Sequence, residues 1–104
     1  MFTILGAGGA IGNELVKQLA ARSEAIRLVS RHAKLVPGAT EAIAADLSNL
    51  DDTLRAVSGS RIVFLVIGLR YEIKAWRELW PRIMHNVIEA TKRSGARLIF
   101  FDNV

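Results

Sequence analysis

Short blocks of consecutive apolar residues alternate along this chain with segments whose apolar residues recur every three or four positions, and the two periods predict strands and helices in turn. Phe2-Thr3-Ile4-Leu5 is a first apolar run that ends in Gly6-Ala7-Gly8-Gly9, the pattern of a buried strand entering a tight turn. From Ala10 the period changes: Ile11, Leu15 and Leu19, with Val16 and Ala20 beside them, line one face of a helix that fades near Arg22. A second apolar run, Ile26 to Val29, follows at the distance of a strand-helix-strand unit, so parallel pairing with the first is expected. Residues 31 to 41 carry Pro37-Gly38 and little periodicity, which predicts a loop with at most a short helix, then a third strand at Ala42 to Ala45. Ser48 or Asn49 can cap a short helix with Asp51 and Asp52 in its first turn, ending around Ser58-Gly59.

Ile62-Val63-Phe64-Leu65-Val66-Ile67, within Arg61 to Gly68, is the most hydrophobic stretch and does not alternate, as expected of a central strand covered on both faces. The longest helical pattern follows, through Ile73, Trp76, Trp80, Ile83, Val87 and Thr91, closed by Ser94-Gly95; Pro81 inside it predicts a kink or a break. A fifth strand spans Arg97 to Phe101. The expectation is an α/β fold in one domain over residues 1–104: a Rossmann-like doubly wound parallel sheet of five strands, order 3-2-1-4-5, with helices on both faces.

Composition narrows the function. Of 104 residues 51% are hydrophobic and 23% charged, enough for one core and too apolar for a disordered chain. The absence of cysteine excludes disulfides, thiolate zinc sites and a cysteine nucleophile, and two histidines argue against a histidine metal site. Lysine and arginine total 14 against 10 acidic residues, a net charge of +4. These bases are spread from Lys17 to Arg97 without a dense run, which suits a solvated exterior or a small anionic ligand better than nucleic acid. No apolar run approaches the roughly 20 residues of a membrane span and no basic leader precedes Phe2, so a cytoplasmic protein without a membrane partner is expected.

The chemistry concentrates in Gly6-Ala7-Gly8-Gly9-Ala10-Ile11-Gly12. A strand that turns directly into a helix aims backbone N–H groups and the positive helix end at one spot, and glycines let a diphosphate approach the backbone. A P-loop is excluded because Asn13-Glu14 follows where lysine and a hydroxyl residue would stand, and strict GxGxxG fails at Ile11. Gly6, Gly9 and Gly12 fit GxxGxxG.

With these features the sequence resembles the short-chain dehydrogenase/reductase superfamily, in particular its extended branch, the NAD-dependent epimerase/dehydratase family. The resemblance covers the whole chain: ILGAGGAIG, Leu28-Val29-Ser30-Arg31, Ala45-Asp46-Leu47-Ser48, LRAVSGSRIVFLVI and NVIEATKRSGARLIFF. It implies that Gly6, Gly9, Ala10 and Ile11 line a dinucleotide diphosphate and that Gly12 lets the helix approach the sheet. Ser30 and Arg31 would meet the adenosine ribose, where Arg31 offers donors to a 2′-phosphate and favours NADP over NAD. Asp46 and Leu47 would border the adenine, with Asp46 accepting from its exocyclic amine, and Ile67, Gly68 and Leu69 would pass the cofactor beyond the fourth strand.

Three departures from the family stand out. Its catalytic tyrosine and lysine are spaced YxxxK, whereas Tyr71 has Lys74 three residues on. Asn103 stands in the place of the catalytic serine or threonine, and Trp80, rather than Asn86, in the place of the asparagine near the start of the long helix. No catalytic residue is therefore assigned. Trp76 and Trp80 read as core or interface, His85 as a residue of a polar helix face, and His32 as a loop residue beside the ribose. The leading expectation is the dinucleotide-binding half of an NADP-dependent epimerase/dehydratase or reductase, cut before its C-terminal part, without turnover of its own and associating as a homo-oligomer. The alternative is a non-catalytic NADP sensor.

Overall fold

The computed structural model describes residues 1–6, 10–22, 24–32, 34–66 and 73–100, with the backbone alone at 10, 11 and 73–77. Strand β1 (Phe2–Leu5) leads to helix α1 (Ala10–Ala20), β2 (Ile26–Ser30), β3 (Glu41–Ala44), α2 (Leu50–Val57), β4 (Ile62–Leu65), α3 (Ile73–Ser94) and β5 (Arg97–Phe100). All strand pairs are parallel and their order is β3-β2-β1-β4-β5, as the sequence predicts.

Because side chains alternate across a strand, the central strands feed two cores. Phe2, Ile4, Ile26, Leu28, Phe64 and Val66 pack with Val16 and Leu19 of α1 on one face. Leu5, Val29, Val63 and Leu65 pack on the other face with Ala56 and Val57 of α2 and with Ile83, Val87 and Ala90 of α3. The helices thus cover both faces, and the central strands are buried along their length. Each fully buried Leu, Ile or Val contributes about 1.5–3 kcal/mol. Phe2 and Phe64 meet edge to face, their ring centroids 6.1 Å apart.

Polar groups in the second core are paired. The buried hydroxyls of Thr3 and Ser60 hydrogen-bond across 57 residues of chain. Arg27, on the α2 side of β2, donates Nη1 to the carbonyls of Ala56 (2.8 Å) and Ser58 (2.7 Å) and pairs Nε with Glu41 at 3.1 Å. It thereby satisfies carbonyls at the end of α2 that the helix leaves without partners.

The structure differs from the sequence reading at several points: β2 extends to Ser30, and β3 ends at Ala44. β3 begins one residue earlier, at Glu41, which stands opposite Arg27 in the register. β4 pairs only as far as Leu65, because β1 ends there at Leu5; Val66 lies past the strand but stays buried and donates its amide to the Leu5 carbonyl at 3.0 Å. The expected break at Pro81 does not occur: α3 is one helix through it. Pro81 is exposed, where a carbonyl deprived of its N–H partner can be hydrated.

Candidate dinucleotide site

The chain runs from β1 outward to β2 and β3, then returns to β4 on the other side of β1. In doubly wound sheets a reversal of this kind is where ligands bind, in the crevice beyond the carboxyl ends of the two strands, here β1 and β4. Gly6 leaves β1 there with φ 86°, a left-handed conformation that glycine adopts without strain, and its amide donates to the Val29 carbonyl at 2.9 Å. α1 begins at Ala10 with no acidic residue in its first turn. α2 differs: Asn49 caps it through the Asp52 amide, and Asp51 and Asp52 occupy its first turn. Its own carboxylates balance the positive end of α2, whereas the first turn of α1 carries none. Gly12 is buried in α1; Gly9 lies outside the described residues, and of Ala10 and Ile11 the helical backbone alone is described.

Beside the start of α1 is a hollow of about 250 Å³ lined by Gly12, Asn13, Val16, Leu28, Ser30, His32, Lys34 and Val36. Its outer wall is the loop after β2. This loop lies tight against α1 at Gly38, whose φ is 96° and where a Cβ would come within 3.1 Å of the Ala20 Cβ and 3.4 Å of the Val16 Cγ1. Ser30 closes β2 and accepts the Ala45 amide at 3.0 Å. His32 and Lys34 are exposed at the rim, and no carboxylate lines the hollow among the described residues. Lys34 and Asn13 carry no periodicity or motif that marks them in the sequence; only the fold brings the loop against α1.

Arg31 is exposed and is not among the residues lining the hollow. Its charge instead acts on Asp46, two residues past β3. Asp46 Oδ1 accepts from the Ser48 hydroxyl at 2.6 Å and the Ser48 amide at 3.0 Å. Those two bonds hold its carboxyl below the usual carboxylate range, partial burial opposes them, and Arg31 adds to the lowering. Asp46 is therefore a fixed anionic acceptor at neutral pH. Leu47 is buried in the α2–α3 core. Ile67, Gly68, Leu69, Tyr71 and Asn103 lie outside the described residues. Of the remaining sequence readings, His85 is exposed on α3, and Trp80 packs against the α2–α3 core with its ring 5.7 Å from that of Phe100. Among the described residues, no group of three His, Asp or Glu could hold a metal ion, and no helix is long and apolar enough to cross a membrane.

A parallel 3-2-1-4-5 sheet with Gly6 in a left-handed conformation at the end of β1, leading into α1, defines a Rossmann dinucleotide-binding domain. The chain belongs to the NAD(P)H-binding family, whose sequence model matches residues 6–102. Uronate dehydrogenase from Agrobacterium tumefaciens has a similar fold, with a TM-score of 0.82 over 98% of this chain and 21% identity. A Rossmann-fold NAD(P)-binding family protein from Shigella flexneri matches 95% of the chain with a TM-score of 0.72 and 28% identity, and vestitone reductase from alfalfa also 95%, with a TM-score of 0.75 and 21% identity. This chain spans 40%, 49% and 34% of those three proteins, respectively. No curated protein matches the chain by sequence.

Proposed function

We propose that this chain binds NADP in preference to NAD and forms the dinucleotide-binding part of a short-chain-type reductase, epimerase or dehydratase. In this reading the diphosphate lies on Gly6, Gly9, Ala10 and Ile11 at the start of α1, and Gly12 keeps the helix close to the sheet. Asp46 accepts from the adenine amine, Leu47 borders the ring, and Ile67, Gly68 and Leu69 follow the rest of the cofactor. The observation that carries the NADP preference is the hollow beside Ser30, with Lys34 and His32 at its rim and no carboxylate in its lining. A carboxylate there would hold the two ribose hydroxyls of NAD and repel a phosphate, whereas Ser30, Lys34 and the adjacent Arg31 offer donors and positive charge.

Calorimetric titration of both cofactors tests this. A charge-assisted contact to the 2′-phosphate makes NADP about ten- to a hundredfold tighter than NAD, and Lys34→Asp or Arg31→Asp narrows or reverses that gap. Equal affinities in the unaltered protein overturn the preference. The sequence lacks a YxxxK pair, so no tyrosine and lysine of that spacing can move a proton during hydride transfer, and the purified chain binds without turnover. Steady oxidation or reduction of the nicotinamide would contradict that part.

The same reading includes self-association. β5 is an edge of the described sheet and Phe100 on it is exposed, as are Leu79 and Ile88 on α3. Apolar edges of this kind pair with other chains. Sedimentation should show a dimer or larger species, and a monomer at high concentration contradicts it.

A further inference from the structure

We propose that Asn86, on α3, is a positioning residue for the adenine end of the site, acting through the carbonyl of Leu47. The inference rests on the reading of Asp46 as the acceptor of the adenine amine.

Asp46 and Leu47 lie in the five-residue connection between β3 and α2. Most of its bonds are to itself or to its immediate neighbours. The Asp46 amide donates to Asp52 Oδ2 at 3.0 Å, the Asn49 amide to the Asp46 carbonyl at 3.0 Å, and the Ser48 hydroxyl and amide to Asp46 Oδ1. These fix the shape of the turn and its join to α2. Asn86 comes from the other side of the chain. Its Nδ2 donates to the Leu47 carbonyl at 2.9 Å, linking the turn to α3 across 39 residues. Thr53 of α2 reaches the same carbonyl at a longer 3.3 Å.

Asn86 is only 5% exposed, on the face of α3 that carries Ile83, Val87 and Ala90 into the core. Burying a side-chain amide at such a position is unfavourable unless it is hydrogen-bonded, and a leucine would continue the apolar face without that cost. The orientation of the amide follows from its partner, because a carbonyl can only accept. Asparagine here therefore fastens the turn in one place relative to α3. The Asp46 carboxylate is one residue from the fastened carbonyl, so its distance to a base in the crevice depends on that bond.

The test compares NADP with the same dinucleotide carrying hypoxanthine, which presents a carbonyl oxygen where adenine presents its amine. The unaltered protein should bind NADP roughly tenfold more tightly or better, because a charge-assisted hydrogen bond is lost in the analogue. In Asn86→Leu, and in the milder Asn86→Ser should leucine impair folding, the gap should close through weaker NADP binding while affinity for the analogue is retained. A merely structural role would weaken both dinucleotides together and leave their ratio unchanged, which overturns the proposal. Equal binding of the two by the unaltered protein overturns the Asp46 reading itself, a result distinguishable because it appears before any substitution.

Discussion

The amide of Gly6 donates to the carbonyl of Val29 at 2.9 Å while Gly6 holds φ at 86°. The chain leaving β1 is thus tied to β2 in a backbone conformation that a side chain opposes, at the point where a dinucleotide diphosphate would approach. Gly6→Ala should cost about 1–2 kcal/mol of stability from the left-handed conformation alone. It should also weaken both NAD and NADP, because the diphosphate is common to them. Urea unfolding and parallel titrations check the two effects, and an unchanged affinity would separate the turn from the site.

Gly38 tests the hollow rather than the diphosphate turn. Its positive φ strains any other residue, and the 3.1 Å approach to the Ala20 Cβ means that in Gly38→Ala the loop and α1 separate by a few tenths of an ångström. With the loop go Lys34 and Val36, which line the hollow. NADP affinity should fall more than NAD affinity, and an equal fall would place the 2′-phosphate elsewhere.

Asp46 makes a pH-dependent contribution. Its carboxyl is held below the ordinary range when folded, chiefly by the Ser48 hydroxyl and amide. A lowered folded pKa adds stability that is present above the unfolded value of about 3.9 and is lost as pH falls through the folded value. Asp46→Asn should therefore be less stable than the unaltered protein at pH 7, and the difference should disappear as the pH is taken below roughly 4. Thermal melts of both proteins across that range decide the sign; a gap that widens in acid would be wrong for this assignment.

Arg27 joins β2, β3 and α2 through one guanidinium, with Nη1 on two carbonyls at the end of α2 and Nε on Glu41. Arg27→Met leaves those carbonyls without a donor and should cost about 2 kcal/mol. Arg27→Lys should recover little, since a single ammonium cannot reproduce the fork. Denaturant midpoints for the three proteins give the comparison directly.

Local pattern in the sequence was enough for the elements and their order. Runs of apolar residues and three-to-four spacing reflect which side chains leave water, and strand-helix alternation leaves few ways to pair the strands; the observed β3-β2-β1-β4-β5 sheet follows from those rules. The glycine turn was legible for the same reason, since Gly6 needs its φ whatever the rest of the chain does. Boundaries were less so. β3 starts at Glu41 because its neighbour presents Arg27 there, β4 stops where β1 stops, and α3 continues through Pro81 on its exposed side. Each depends on a partner distant in sequence. The site divides in the same way. Ser30 ends β2, and Asp46 and Leu47 follow β3 within sequence blocks that resemble a known family, whereas Lys34 reaches the hollow only because Gly38 lets a loop lie on α1, and Asn86 meets Leu47 only because α2 and α3 share one face of the sheet. Burial is written into the order of residues, but which polar atoms meet is decided by packing, because a hydrogen bond needs both partners within about 3 Å and nothing in local sequence records that distance.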